Sequence, residues 1–250
     1  MEDISQRTFV GARHQDAING LLRWLSRIDN FDWIPPAILY MTLNREQPDA
    51  IFAFLQDLER LASSMFIRRC DINERITRYG RLIQWIDEGK DLYSPDSPLQ
   101  LTADEQAKTL KGLDNPVYEA TKTRLYIMLR LDSFLSSGGV EYDHSVITLE
   151  HVLPQTVGAG SEWEKTWPEE EVRLNWVNRI GNLLLLTQRK NSEAQNFDFA
   201  VKKSKYFISP KGVANFALTT QVLSEDKWLP ETVSRRQQDL LQVLKKGWRL

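Results

Sequence analysis

One cysteine, Cys70, is all this chain contains, which excludes an internal disulfide and a cysteine-based zinc cluster and suits a reducing compartment. Long apolar runs are missing too. None approaches the ~18 residues of a membrane-spanning helix, and the opening Met-Glu-Asp-Ile-Ser-Gln-Arg lacks the basic flank and apolar core of a secretory leader. A cytoplasmic protein without a membrane partner is the expectation. No glycine-rich loop of the kind that cradles phosphate occurs, and there are neither internal repeats nor low-complexity tracts. An excess of one charge is also lacking: 32 lysines and arginines stand against 34 aspartates and glutamates, a formal net charge of -2. With a pI of about 6.0, any contact with nucleic acid has to be local. Histidine is scarce, with His14, His144 and His151 the only three.

What is present is the profile of a soluble globular protein. The 250 residues, 42% hydrophobic and 26% charged, suffice for one large domain or two ordinary ones, and two are expected. From Ala17 to Glu88 apolar residues recur at three- and four-residue intervals, as in Ile51, Phe54, Leu55, Leu58 and Leu61, which predicts amphipathic helices. Pro35-Pro36 opens one of them, because proline's missing N–H has no intrahelical partner in a first turn. Cys70 falls in this helical stretch and reads as a packed thiol. The segment Asp87 to Pro98 is turn-rich. A further helix is expected over Tyr118–Leu135, stopped by Ser136-Ser137-Gly138-Gly139.

Beyond Gly139 the character changes. Val146-Ile147-Thr148-Leu149 is short, β-branched and apolar, suiting a strand that runs into Glu150-His151. A polar loop with Gly158 and Gly160 follows, then a helical pattern over Trp163–Ile180, then Leu183-Leu184-Leu185-Leu186-Thr187 as a buried strand. Helical spacing returns over Asn191–Tyr206, and a last helix is expected from about Glu231 to Leu244. The order strand, long loop, strand, helix is that of a small ββα module. The expected architecture is mainly α (α+β), a helical region over 1–140 followed by a ββα-metal module embedded in helices over 141–250.

Of the three histidines, His14 lies in a polar segment beside Arg13 and Gln15, and His144 in the turn Glu141-Tyr142-Asp143-His144, so neither is assigned a catalytic role. His151 directly follows an apolar strand and an acidic residue. Its unperturbed pKa of ~6.5 suits a proton acceptor at neutral pH, and Glu150 supplies the hard carboxylate oxygen that Mg²⁺ prefers. Hydrolysis of a phosphodiester needs such a base and such a cation. An acid-histidine pair by itself is common, however, and a lone histidine is more often merely hydrogen-bonded.

The downstream segment Ile180-Gly181-Asn182-Leu183-Leu184-Leu185-Leu186-Thr187 with Asn191 makes the pattern specific. Glu-His-Val-Leu-Pro-Gln at 150–155, followed about thirty residues later by Gly-Asn-Leu-Leu-Leu-Leu and then Asn191, resembles the HNH (His-Me finger) nuclease domain at the C-terminus of GmrSD-type restriction enzymes. It is similar also to the HNH domain of RNA-guided DNA nucleases, whose two asparagines stand nine positions apart, as Asn182 and Asn191 do. The resemblance implies His151 as general base, Asn182 as the residue that ties the loop together and orients the His151 ring, and Glu150 and Asn191 as ligands of one Mg²⁺ or Mn²⁺ ion per site. Glutamate stands where aspartate is common, one methylene longer.

Between Gln188 and Lys211 lies a local basic surplus from which Arg189, Lys190, Lys203 and Lys205 are assigned to phosphate contacts with DNA. A solvated helix face explains any single lysine equally well. Trp163, Trp167, Trp176 and Trp228 are read as structural anchors, and Arg235, Arg236, Lys245 and Lys246 as a positive C-terminal edge. Less specifically, Trp33-Ile34-Pro35-Pro36, Phe54–Glu59 and Thr123-Arg124-Leu125-Tyr126 resemble the helical region that precedes this domain in longer proteins, which begin with a ParB-like, nucleotide-hydrolysing domain. The implied function is a metal-dependent DNA endonuclease of a prokaryotic anti-phage restriction system acting on foreign or modified DNA. It would be coupled to an upstream nucleotide-hydrolysing domain, with homo-oligomerisation open. The alternative is a catalytically inactive helical DNA-binding or regulatory module.

Overall fold

The computed structural model describes residues 9–10, 13–136, 147–187, 196–208 and 216–250. The chain divides into two compact units, the first reaching Gly112 and the second spanning Leu113–Arg249. The helix expected at the end of a 1–140 region therefore belongs to the second unit. No helix among the described residues is long and apolar enough to cross a membrane.

The first unit is helical: α1 (Gln15–Leu25), α2 (Ile34–Leu43), α3 (Pro48–Arg68), α4 (Ile72–Asp87) and α5 (Ala103–Leu113). The periodic apolar residues of the sequence form its core, with Ile18, Leu22, Ile51, Phe54, Leu55 and Leu58 fully buried. Prolines occupy the first turns of α2 and α3. The Asp71 carboxylate caps α4 by accepting from the N–H groups of Asn73 and Glu74. Thr102 and Glu105 form a reciprocal capping box at α5, satisfying donors that the first helical turn leaves orphaned. Cys70 sits just past the end of α3 rather than within a helix. Its thiol is pushed up to about 12 by burial and by its bond to Glu74, too high for a nucleophile.

In the second unit a short 3₁₀ turn (Val117–Glu119) precedes α6 (Arg124–Leu135). The single helix expected over 118–135 is thus split by a turn. Strand β1 (Ile147–His151) pairs antiparallel with β2 (Leu183–Thr187), with Glu150 opposite Leu184 and His151 opposite Leu183. Between the strands lie α7 (Glu162–Thr166), α8 (Glu170–Val177) and a 3₁₀ turn, Ile180–Asn182, where one helical pattern was expected. After β2 the described chain continues with α9 (Phe199–Val201), a π-helical turn (Lys202–Tyr206), α10 (Ala217–Leu223) and α11 (Pro230–Trp248).

The β2 side of the hairpin joins a cluster of Val152, Leu153, Trp163, Trp167, Leu184, Leu186, Phe207, Val222, Trp228 and Val233, so β2 reads as an apolar run, whereas β1 carries Thr148, Glu150 and His151. Polar groups stitch the layers. Asp132 of α6 accepts from the Leu218 N–H at 2.7 Å, supplying the anionic cap that the α10 sequence lacks, and the Thr219 hydroxyl donates to the Leu185 carbonyl at 2.7 Å. Arg236 is buried and does not contribute to a positive edge. It donates to the carbonyls of Gly181 at 2.7 Å and Leu183 at 3.0 Å, and burial pushes its guanidinium down to about 9.

Gly181 is required by proximity. A Cβ added there would lie 2.6 Å from the Val233 carbonyl oxygen and 3.1 Å from the Gln237 backbone nitrogen, and helical backbone cannot retreat as a side chain can. Its N–H also donates to Gln237 Oε1 at 2.7 Å. Gly181→Ala is expected to destabilise the unit by ~1–3 kcal/mol through this overlap, seen as a lower midpoint in thermal unfolding. An unchanged midpoint would mean that α11 shifts freely.

Candidate functional site

The site grows from the end of β1 and the 3₁₀ turn before β2. Asn182 is fully buried, and its amide ties the loop that follows His151 to Val177 and Trp228. Its Oδ1 accepts from the Leu153 N–H at 2.8 Å and from Trp228 Nε1–H at 2.9 Å. Its Nδ2 donates to the carbonyls of Leu153 and Val177, each at 2.9 Å. The Val152 N–H adds a backbone bond to the Asn182 carbonyl at 3.0 Å. A buried amide with all of its bonds made fixes a loop far more firmly than apolar packing of that loop could. Trp228, read as structural from the sequence, is one arm of this clamp.

Leu149, Glu150 and His151 at the strand end line one cleft of about 270 Å³ together with Tyr118, Pro154, Gln155, Thr156, Asn196 and Lys202. Both members of the acid-histidine pair thus face the same space. His151 is 8% exposed. Burial is the main influence that pushes its imidazole down to about 4, helped by the charges of Lys202 and Arg124 and opposed by a hydrogen bond to Asn178. The ring is therefore neutral at pH 7 and keeps one nitrogen able to accept a proton.

The ring's environment comes from residues that sequence reading did not single out. Nε2 lies 3.1 Å from Asn178 Oδ1, and the Tyr118 ring packs against the imidazole at a centroid distance of 4.2 Å with the ring planes inclined by 61°. Arg124 covers Tyr118, its guanidinium 4.3 Å from the ring centroid. No hydrogen bond joins Asn182 to the imidazole; the side chain that meets the ring nitrogen is that of Asn178.

Lys202 is the other unanticipated member. It is fully buried, and its ammonium donates to Glu150 Oε1 at 2.7 Å and to the His151 carbonyl at 2.6 Å. Burial raises the Glu150 carboxyl and lowers the Lys202 ammonium, while each partner's charge pulls the other back. The short contact and the second bond favour the charged pair. Lys203 turns away, donating to the Glu225 carbonyl and lying 5.3 Å from the Phe199 ring, whereas Lys205 is exposed. Asn191, Arg189 and Lys190 lie outside the described residues.

Among the described residues no group of three or more His, Cys, Asp or Glu side chains could hold a metal ion. The cleft lining nevertheless fits a hard cation that keeps most of its waters. Glu150 offers a carboxylate, and Gln155, Thr156 and Asn196 add neutral oxygens, the donor type that Mg²⁺ accepts. The Lys202 ammonium shares that carboxylate.

Comparison with known families decides what this site belongs to: the family described as "GmrSD restriction endonucleases, C-terminal domain" matches residues 102–243, more than half of the chain. The chain belongs to this family. No curated protein matches it. The GmrSD match begins at Thr102, directly before α5, and includes that helix, the 3₁₀ turn and α6. Tyr118, Glu119 and Arg124 are thus part of the same nuclease-family domain as His151, and that domain starts well before residue 141.

Proposed function

We propose that the GmrSD domain of this chain is an HNH-type, metal-dependent endonuclease that nicks or cleaves DNA, with His151 as general base. The observation that supports this most is the shared cleft of Glu150 and His151, held at a strand end by the fully bonded Asn182. In this reading the neutral His151 ring takes a proton from water, which attacks phosphorus in line and expels the 3′ oxygen. Glu150 and Asn191 would hold the ion, and a bound Mg²⁺ or Mn²⁺ supplies charge neutralisation at the phosphate and at the departing oxygen. Tyr118 closes one side of the imidazole. Arg189, Lys190 and Lys205 would contact DNA phosphates, with Lys203 joining them only by leaving the Glu225 carbonyl. For the whole protein we infer a prokaryotic, cytoplasmic anti-phage enzyme whose upstream nucleotide-hydrolysing domain governs the nuclease and whose target is foreign or modified DNA. Homo-oligomerisation would bring two such sites to one duplex.

Conversion of supercoiled plasmid to nicked circles, with Mg²⁺ or Mn²⁺ and with chelator, tests the assignment. His151→Ala should lower the rate at least ~100-fold, as loss of a general base does. Equal nicking by both proteins would sink it.

One observation favours a second reading, an inactive DNA-binding or regulatory module: the Lys202 ammonium already neutralises Glu150. Calorimetric titration with Mn²⁺ separates the two. The nuclease reading expects binding that Glu150→Gln weakens, and the inactive module expects none in either protein.

A further inference from the structure

The orientation of the His151 ring carries one step more, resting on its assignment as base. Asn178 closes α8, and its side chain is held from two sides. Its Nδ2 donates to Glu119 Oε1 at 3.0 Å, and its Oδ1 lies 3.3 Å from Gln155 Nε2 and 3.1 Å from His151 Nε2. A carboxylate only accepts hydrogen bonds. Glu119 therefore dictates which way the Asn178 amide faces, with NH₂ toward itself and carbonyl toward the imidazole. An amide oxygen in turn only accepts, so Nε2 must carry the ring proton. Nδ1 is left with its lone pair, and among the described residues none hydrogen-bonds it. The backbone reinforces the arrangement, since the Tyr118 N–H donates to the Asn178 carbonyl at 3.0 Å, tying the 3₁₀ turn that bears Glu119 to the helix end that bears Asn178.

We propose that Glu119 and Asn178 are positioning residues that fix His151 as its Nε2–H tautomer and thereby make Nδ1 the proton-accepting atom. The relay runs from the Glu119 carboxylate through the Asn178 amide to the imidazole. It transfers no proton along its length; it sets orientation and tautomer, the usual task of a partner on the far nitrogen of a working histidine.

The test is nitrogen-15 NMR of the full chain labelled at histidine, with His151→Ala identifying the signal. Wild type should show a slowly exchanging ring N–H on Nε2 of His151. Asn178→Ala should lose it to rapid exchange with water. Because Glu119 faces solvent, Glu119→Ala leaves the fold intact and should broaden the signal, and Glu119→Gln, which keeps an accepting oxygen, should restore it. A proton on Nδ1 in wild type, or an equally protected Nε2–H in Asn178→Ala and Glu119→Ala, would overturn the proposal; should Asn178→Ala fail to fold, the Glu119 pair decides alone. In the nicking assay Asn178→Ala should lower kcat about 10-fold, the lower end for an outer partner of a working histidine, at unchanged KM. Undiminished nicking by His151→Ala together with loss of the resonance in Asn178→Ala would sink the assignment of His151 as base and still support the relay.

Discussion

Asn182→Ala is expected to destabilise the GmrSD domain by roughly 3–5 kcal/mol and to abolish nicking with it. Truncation strands four partners at once: the Leu153 N–H and carbonyl, the Val177 carbonyl and the Trp228 indole N–H. Each buried orphan costs ~1–3 kcal/mol, and a water admitted to the polar hole left behind recovers part of the sum. Asn182→Asp discriminates further. The isosteric carboxylate keeps the bonds from Leu153 N–H and Trp228 but turns an oxygen on the two carbonyls that Nδ2 now serves. Burial raises the pKa of such a carboxyl above its unfolded value, so the neutral form is favoured in the folded state. The penalty is therefore greatest above the folded pKa and shrinks as pH falls through it. Denaturant titrations followed by tryptophan fluorescence measure both variants. A loss under ~1 kcal/mol for Asn182→Ala would mean that the clamp on the β1–α7 loop is redundant.

The sequence announced this clamp more clearly than its surroundings. Strands β1 and β2 were legible because short β-branched and apolar runs end at turn residues, and Asn182 was legible because an amide inside an apolar stretch has to earn its burial by hydrogen bonding. The partner of the imidazole was not. Asn178 lies 27 residues from His151 and Glu119 lies 59 from Asn178, and no periodicity links a helix end, a 3₁₀ turn and a strand end. Lys202 lies within the basic surplus between Gln188 and Lys211, where Lys202, Lys203 and Lys205 are indistinguishable by composition. The π-helical turn at 202–206 changes which faces successive residues take, so the one buried lysine of the run emerges only from the fold. The helix expected over 118–135 starts only at Arg124 for a related reason: local propensity runs through 120–123, whereas the Tyr118 bond to Asn178 and the Arg124 bond to the Tyr118 carbonyl at 2.9 Å hold a turn there.

Lys202→Met should cost ~3–5 kcal/mol at pH 7, because it leaves the Glu150 carboxylate without its partner in a nearly closed site. The Lys202 side chain is 0% and that of Glu150 9% exposed, so solvent screening does little to soften the loss. The pH dependence has a fixed sign. Without the ammonium, burial remains the largest influence on Glu150, opposed by the backbone hydrogen bond at His151, and holds its folded pKa above the unfolded value near ~4.3. The folded state then binds the proton more tightly than the unfolded one, so stability is lost as pH rises through the folded pKa and recovered as pH falls toward the unfolded one. The deficit relative to wild type should accordingly be smaller at pH 5 than at pH 7. Adding Glu150→Gln removes the buried charge and should return most of the loss, since a buried ion pair replaced by uncharged groups is often close to neutral in stability. A pH-independent deficit under ~1 kcal/mol would show that water reaches Glu150 and that the pair does not hold β1 to the 202–206 turn. A large deficit rescued by Glu150→Gln would establish Lys202 as the counter-ion that lets a carboxylate stay charged beside His151. A divalent ion would then have to bind Glu150 alongside the ammonium rather than in place of it.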